Sequence, residues 1–317
     1  MVRRFAILLA VLTVFGTYGA GDFFGPAVLG AQEDVAADLE EIDQLDKEDR
    51  LEEAVSRSRA LLDRLGGASE GAANRARAQA LWRLSRGIMK QTNLDQFEGL
   101  GDDEAIRRYE EGAGHAREAI EIDPSIAEAY FWEAANRGSV GQTRGVLNSL
   151  FMASDLNDLL HQTVRRDDDY PEPYFMLGTL YRELPGRPVS FGDDDAAVSF
   201  GRLAVDLHEE EFRRAEDIVP FYDYYLELAM SLWDRNWGIS KRDREQSKKR
   251  QAAESTDGPV EEAALYEGRV SIPRQSDREE ALSLARETER RLSAVSDPSV
   301  RNRRDLAKAR ELVSDWD

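Results

Sequence analysis

One phrase constrains the fold of this chain more than any other: Tyr174-x-x-Leu177-Gly178-x-x-Tyr181, followed by Ala196-x-x-x-Phe200. Both halves carry the apolar spacing of a helix face. Each also sets a small residue among large ones. Gly178 and Ala196 let two helices approach closely, while Tyr174, Leu177 and Tyr181 fill the contact between them. A ten-residue connection, Leu184-Pro-Gly-Arg-Pro-Val-Ser-Phe-Gly-Asp193, separates the halves. The phrase predicts a helical hairpin. Such a hairpin buries its apolar face only by stacking on neighbours of the same kind.

Weaker copies flank it. Leu81-x-x-Leu84-Ser85-x-x-Ile88 precedes Gly112-x3-Ala116-x2-Ala119, which closes on Glu121-Ile-Asp-Pro124. Tyr130-x3-Ala134 opens another copy, with its partner helix around Leu156–Arg165, and Tyr225-x-x-Leu228-Ala229-x-x-Leu232 opens a fourth. This is the tetratricopeptide (TPR) pattern: a large aromatic, Leu-Gly and Tyr on one helix, then Ala-x3-Phe and a Pro on the next. Prolines stand at the borders, where a helix stops, and no alternating strand pattern survives. The expected class is all-α, a TPR-like α-solenoid of about four irregular helical hairpins plus C-terminal capping helices. The expected division is 1–31 targeting segment, 32–70 N-terminal helix, 71–238 repeats, 239–276 flexible polar insertion and 277–317 helical cap. The insertion is placed by its Lys/Arg/Glu/Gln-rich, aromatic-free run, whose basic patch reads as solvated surface.

Composition excludes several functions. The chain has no cysteine and three histidines, His115, His161 and His208, far apart in sequence. That removes a thiol nucleophile, a Cys-type metal site and a lipid-anchor cysteine. A net charge of −20 argues against nucleic acid, which needs a basic surface. Six Lys stand against thirty-six Arg, compatible with a saline setting or with Arg-rich codon usage alike. The N-terminus has Arg3 and Arg4, an apolar run Phe5–Phe15 and small residues before Gln32. This reads as a secretory signal with cleavage near Val28–Ala31, the alternative being a retained anchor. No second apolar stretch of that length follows, so no membrane span is expected after it, and the expected location is periplasmic or otherwise exported.

The phrases Ala-Tyr-Phe-Trp at 129–132 and Pro-Gly-x-Pro-x-Ser-x-Gly-Asp at 185–193 resemble the TRAP-transporter-associated T-component (TatT-like) family. The resemblance covers about Ala78 to Trp237. It implies an exported TPR protein that pairs with a periplasmic solute-binding protein and carries an apolar groove. Other expectations of the same fold are a general adaptor in envelope assembly or secretion, and a carrier of a small apolar ligand. Homo-oligomerisation stays open.

In a TPR array the first helices line the concave face. The inward positions read Trp82, Phe131, Phe175 and Leu226, then Met89, Gly138, Arg182 and Trp233, with Arg86 as a second cation. This column predicts a groove or channel; the competing reading is packing between repeats. The cluster Phe221-Tyr-Asp-Tyr-Tyr225 with Trp233 and Trp237 reads as a docking face or as closure of the array. Pro185, Gly186, Pro188 and Phe191 are expected to shape an ordered lip, with positive-φ turns at Gly186 and Gly192, unless Phe191 is simply tucked into core. Asp167–Asp169 and Asp193–Asp195 are read as helix caps, not calcium loops. No nucleotide loop or nucleophile elbow is present, so no enzyme, metal or cofactor is expected.

Overall fold

A computed structural model describes residues 26–67, 71–214 and 221–317. Among the described residues there are thirteen α-helices, one 3₁₀ turn at Tyr266–Gly268 and no strand. The expected targeting segment lies outside the described residues up to position 25, and Pro26 already opens the first helix. Two helices, α1 (Pro26–Lys47) and α2 (Leu51–Leu65), stand where one was expected, joined by a turn with Asp49 at φ 58°.

Repeats follow as α3 (Gly71–Phe97) on α4 (Asp102–Ile122), α5 (Ala127–Arg144) on α6 (Val146–Arg166), and α7 (Pro171–Glu183) on α8 (Asp194–Arg214). The α7–α8 hairpin forms as its sequence dictates. A Cβ on Gly178 would stand 3.3 Å from the Ala197 carbonyl and the Gly201 nitrogen, so the backbones meet there. Tyr174 and Leu177 are buried beside this contact, and Tyr181 packs on Phe200 at 5.2 Å between ring centres.

The fourth hairpin is split. α9 (Tyr222–Arg235) pairs not with the next helix but with α12 (Asp277–Ser293). Between them run α10 (Ile239–Ala253), α11 (Pro259–Ala263) and the 3₁₀ turn. The expected flexible insertion is therefore helical and packed, and its basic patch is only partly solvated: Lys241, Arg244, Lys248 and Arg250 are exposed. Arg242 and Lys249 are buried, because they meet Glu280 and Glu267. Arg202, Arg235 and Asp277 complete the network. Likewise α12 is no cap but a repeat helix. Only α13 (Val300–Trp316) remains at the end, started by a capping box between Ser299 and Asn302.

Candidate functional site: a cleft inside the array

The first helices α3, α5, α7 and α9, with α13 as a fifth wall, enclose a cleft of about 970 Å³. Its floor is aromatic and aliphatic: Phe131, Trp132, Phe175, Leu180, Phe221 and Tyr224. Phe131 meets Trp132 and Tyr170 edge-on at 4.8 and 5.4 Å, and Phe175 lies 5.1 Å from Tyr224. Three of the chain's five methionines, Met89, Met176 and Met230, also face it.

Charges at the margin are paired. Arg182 Nε donates to Glu227 Oε1 at 2.7 Å, and Lys90 Nζ to Asp46 Oδ2 at 2.8 Å. Arg304 Nη2 reaches Asp223 Oδ2 at 2.5 Å. Burial, with Glu211 adding to it, pushes the Glu172 carboxyl up to about 8. Glu172 therefore carries a proton at neutral pH and can donate a hydrogen bond inside the cleft. Burial and the neighbouring Asp223 likewise push Asp305 up to about 8. Burial brings His208 down to about 4, leaving its Nε2 to accept from the Phe221 amide at 3.0 Å. His208 is thus a packing residue. Among the described residues no group of three His, Asp or Glu side chains could hold a metal ion. No helix there is long and apolar enough to cross a membrane.

Of the column read from the sequence, Met89, Phe131, Gly138, Phe175 and Arg182 line the cleft; Trp82, Arg86, Leu226 and Trp233 do not. The split follows position along the array. α1 covers the first part of α3: Asp43 pairs with Arg83 and Arg86 at 2.8 Å, and both guanidinium groups lie over the Trp82 ring. At the other end, Leu226 packs with Ala285, Ala309 and Leu312, while Trp233 stacks on Trp316 at 4.4 Å. Both ends are covered and the middle is open. Sequence reasoning missed the contributions of α13, namely Arg301, Arg304 and Lys308. Their i, i+3, i+7 spacing marks one helix face, but nothing local tells which wall that face joins.

The 184–193 connection is folded, though by different means than expected. Neither Gly186 nor Gly192 has positive φ. Gly192 is required because a Cβ there would overlap the Leu184 carbonyl. The Gly192 amide donates to Pro185 O at 3.1 Å and the Asp193 amide to Tyr181 O at 2.9 Å. Phe191 leans on Tyr181 at 5.2 Å, so it anchors the loop on its own hairpin, and only Pro185 of the four lip residues reaches the cleft. Asp193 accepts from the amides of Asp195 and Ala196 and caps α8. Asp167 instead turns onto the Asp169 amide and caps no following helix.

The family model described as "Regulator of microtubule dynamics protein 1-3" matches residues 38–188, just under half of the chain. To that family the chain is similar. No curated protein matches. The finding overturns the resemblance to the TRAP-associated T-component family, and with it the expected pairing with a solute-binding protein, the transport role and the periplasmic setting. The physical reason lies in what the motif encodes. Small and aromatic residues at these spacings are demanded by hairpin packing itself, so they specify the fold and not the family that uses it. The match ends within the α7–α8 connection. It therefore includes the α3, α5 and α7 walls of the cleft but neither α9 nor α13.

Proposed function

We propose that this protein is a non-enzymatic binding module whose central cleft receives an amphipathic helical segment of another polypeptide. The observation that carries this reading is the lining itself, an aromatic floor with three of the five methionines and charges held in pairs at the edge. Amphipathic helices are taken up by laying an apolar face into such a groove. Thioether side chains are long, unbranched and polarizable, so they adapt to the shape of what enters. Edge charges already paired are less costly to cover with an apolar face than lone charges would be. The family it resembles is described as regulating microtubule dynamics. A protein-binding cleft is what this chain would bring to a role of that kind.

The test uses a dansyl-labelled amphipathic helix of Leu and Gln and a scrambled peptide of identical composition. Binding of the first alone, measured by anisotropy, is expected. Thr179 faces the cleft, and Thr179→Trp, which fills it, should weaken binding at least tenfold without loss of helix content. Equal binding of both peptides, or undiminished binding by the filled variant, would refute the reading.

A further inference from the structure

Every neighbouring pair of repeats is joined by apolar packing. The largest hydrophobic cluster runs through α3, α5, α6, α7 and α8, and two others join α8, α9, α12 and α13. The clusters of the N-terminal hairpin stop at α3. Among the described residues no hydrophobic cluster links the N-terminal hairpin to α9, α12 or α13.

Yet these two ends of the chain touch. Asp49, in the α1–α2 turn, pairs with Arg301 and lies 3.4 Å from Ser299 Oγ, the cap of α13. Glu98, just past the end of α3, accepts from Arg303 Nη2 at 2.7 Å. Lys90 of α3 stands 5.2 Å from the centre of the Phe221 ring. The closure thus consists of ion pairs, one hydroxyl contact and one cation–π contact. It seals one side of the cleft, because Leu51, Lys90, Phe221 and Arg301 all line that cavity. In a repeat array each unit otherwise contacts its sequence neighbours, so contacts between the two ends are additional to the repeat packing. They can open without splitting any of the apolar clusters, uncovering only the Phe221 ring beneath Lys90.

We propose that this charged seam is a gate: the N-terminal end of the array (the α1–α2 turn together with the C-terminal end of α3) and α13 part along Asp49–Arg301 and Glu98–Arg303 to admit a bulky occupant to the cleft. The function of the gate rests on the binding role proposed above; its opening does not. Ionic strength is the lever on the half-exposed Glu98–Arg303 pair, since exposed pairs are screened as the Debye length falls to about 3 Å in 1 M salt, whereas the largely buried Asp49–Arg301 pair is screened less until water enters the seam. The seam also depends on α13, which lies outside the stretch that resembles the microtubule-regulator family. Gating is therefore a property of this chain's own C-terminal region.

The absence of cysteine makes the experiment direct. Spin labels at Glu52→Cys and Ala307→Cys, both exposed and on opposite sides of the seam, report its width by double electron–electron resonance. One short distance is expected at low ionic strength. A second, longer one should grow in high salt, and should appear at low salt in Arg303→Glu. In a second arm, Glu98→Cys and Arg303→Cys are bridged by a short bismaleimide. Uptake of the Leu/Gln peptide should then slow at least tenfold relative to the unbridged double variant. A distance distribution indifferent to both salt and Arg303→Glu overturns the gate whatever the peptide does, and so does equal uptake with and without the bridge. A salt-dependent second distance with no peptide binding in any variant keeps the gate's opening and refutes the binding role instead.

Discussion

Arg235 and Asp277 are 1% and 0% exposed, while Arg303 and Glu98 are 47% and 52% exposed, and both pairs join segments distant in sequence. In the first, Arg235 donates through Nε and Nη2 to both Asp277 oxygens at 2.8 and 2.9 Å and also engages Glu267. Arg202, Arg242 and Lys249 hold the remaining carboxylate oxygens of Glu267 and Glu280. In the second, a single nitrogen meets a single oxygen across water-exposed surface. The same chemistry yields a stitch in one place and a contact open to adjustment in the other. Burial makes the difference. Inside, removing one partner strands a charge in low dielectric; at the rim, water replaces it.

The largest effect should come from the interior. Arg235→Ala leaves Asp277 and Glu267 without their principal partner, and is expected to lower unfolding free energy by about 3–5 kcal/mol. Chemical denaturation should show this loss at low and high salt alike. A loss that vanishes in high salt would mean that the two regions do not differ.

Acid sharpens the contrast further. Burial opposes ionisation of Glu267, but Arg235, Arg202 and Lys249 outweigh it and hold the carboxyl at about 2, below the ordinary 4.5. A depressed folded value contributes stability that is complete above the unfolded value and is lost as the folded value is approached. Melting temperature should therefore fall as pH drops from 4.5 towards 2. Glu267→Gln should flatten that slope while lowering stability at neutral pH. An unchanged acid slope would place the sensitivity elsewhere.

The same contrast marks what could be read from sequence. The α7–α8 hairpin was legible because its determinants, Gly178, Tyr174 and Phe200, act on helices next to each other in the chain. Residues 240–253 were not. Arg242 and Lys249 sit in a run that reads as solvated, and their partners Glu280, Glu267 and Asp195 lie 18 to 54 positions away. The cleft was half legible. Helical phase gives which residues of α5 and α7 face inward, but not that Asp43 of α1 holds Arg83 and Arg86 over Trp82 or that α13 covers Leu226. Those coverings are tertiary, and a single-sequence period carries no trace of them.

The smallest effect belongs to the rim, and its smallness is informative. Arg303→Ala removes one exposed pair, Arg303–Glu98, and also a 3.2 Å contact from Arg303 Nη1 to the Pro298 carbonyl. Neither leaves a buried group unsatisfied, since Glu98 is half exposed and water can take over. The expected cost is below about 1 kcal/mol, because pairs of this kind gain little over solvated ions and lose side-chain freedom on forming. What remains should shrink further as salt rises, opposite to the salt-indifferent loss in Arg235→Ala. Denaturant midpoints of both variants across ionic strength make the comparison in one experiment. Should Arg303→Ala cost several kcal/mol, the end-to-end closure would be a structural stitch like the buried network, and the cleft would be permanently shut on that side.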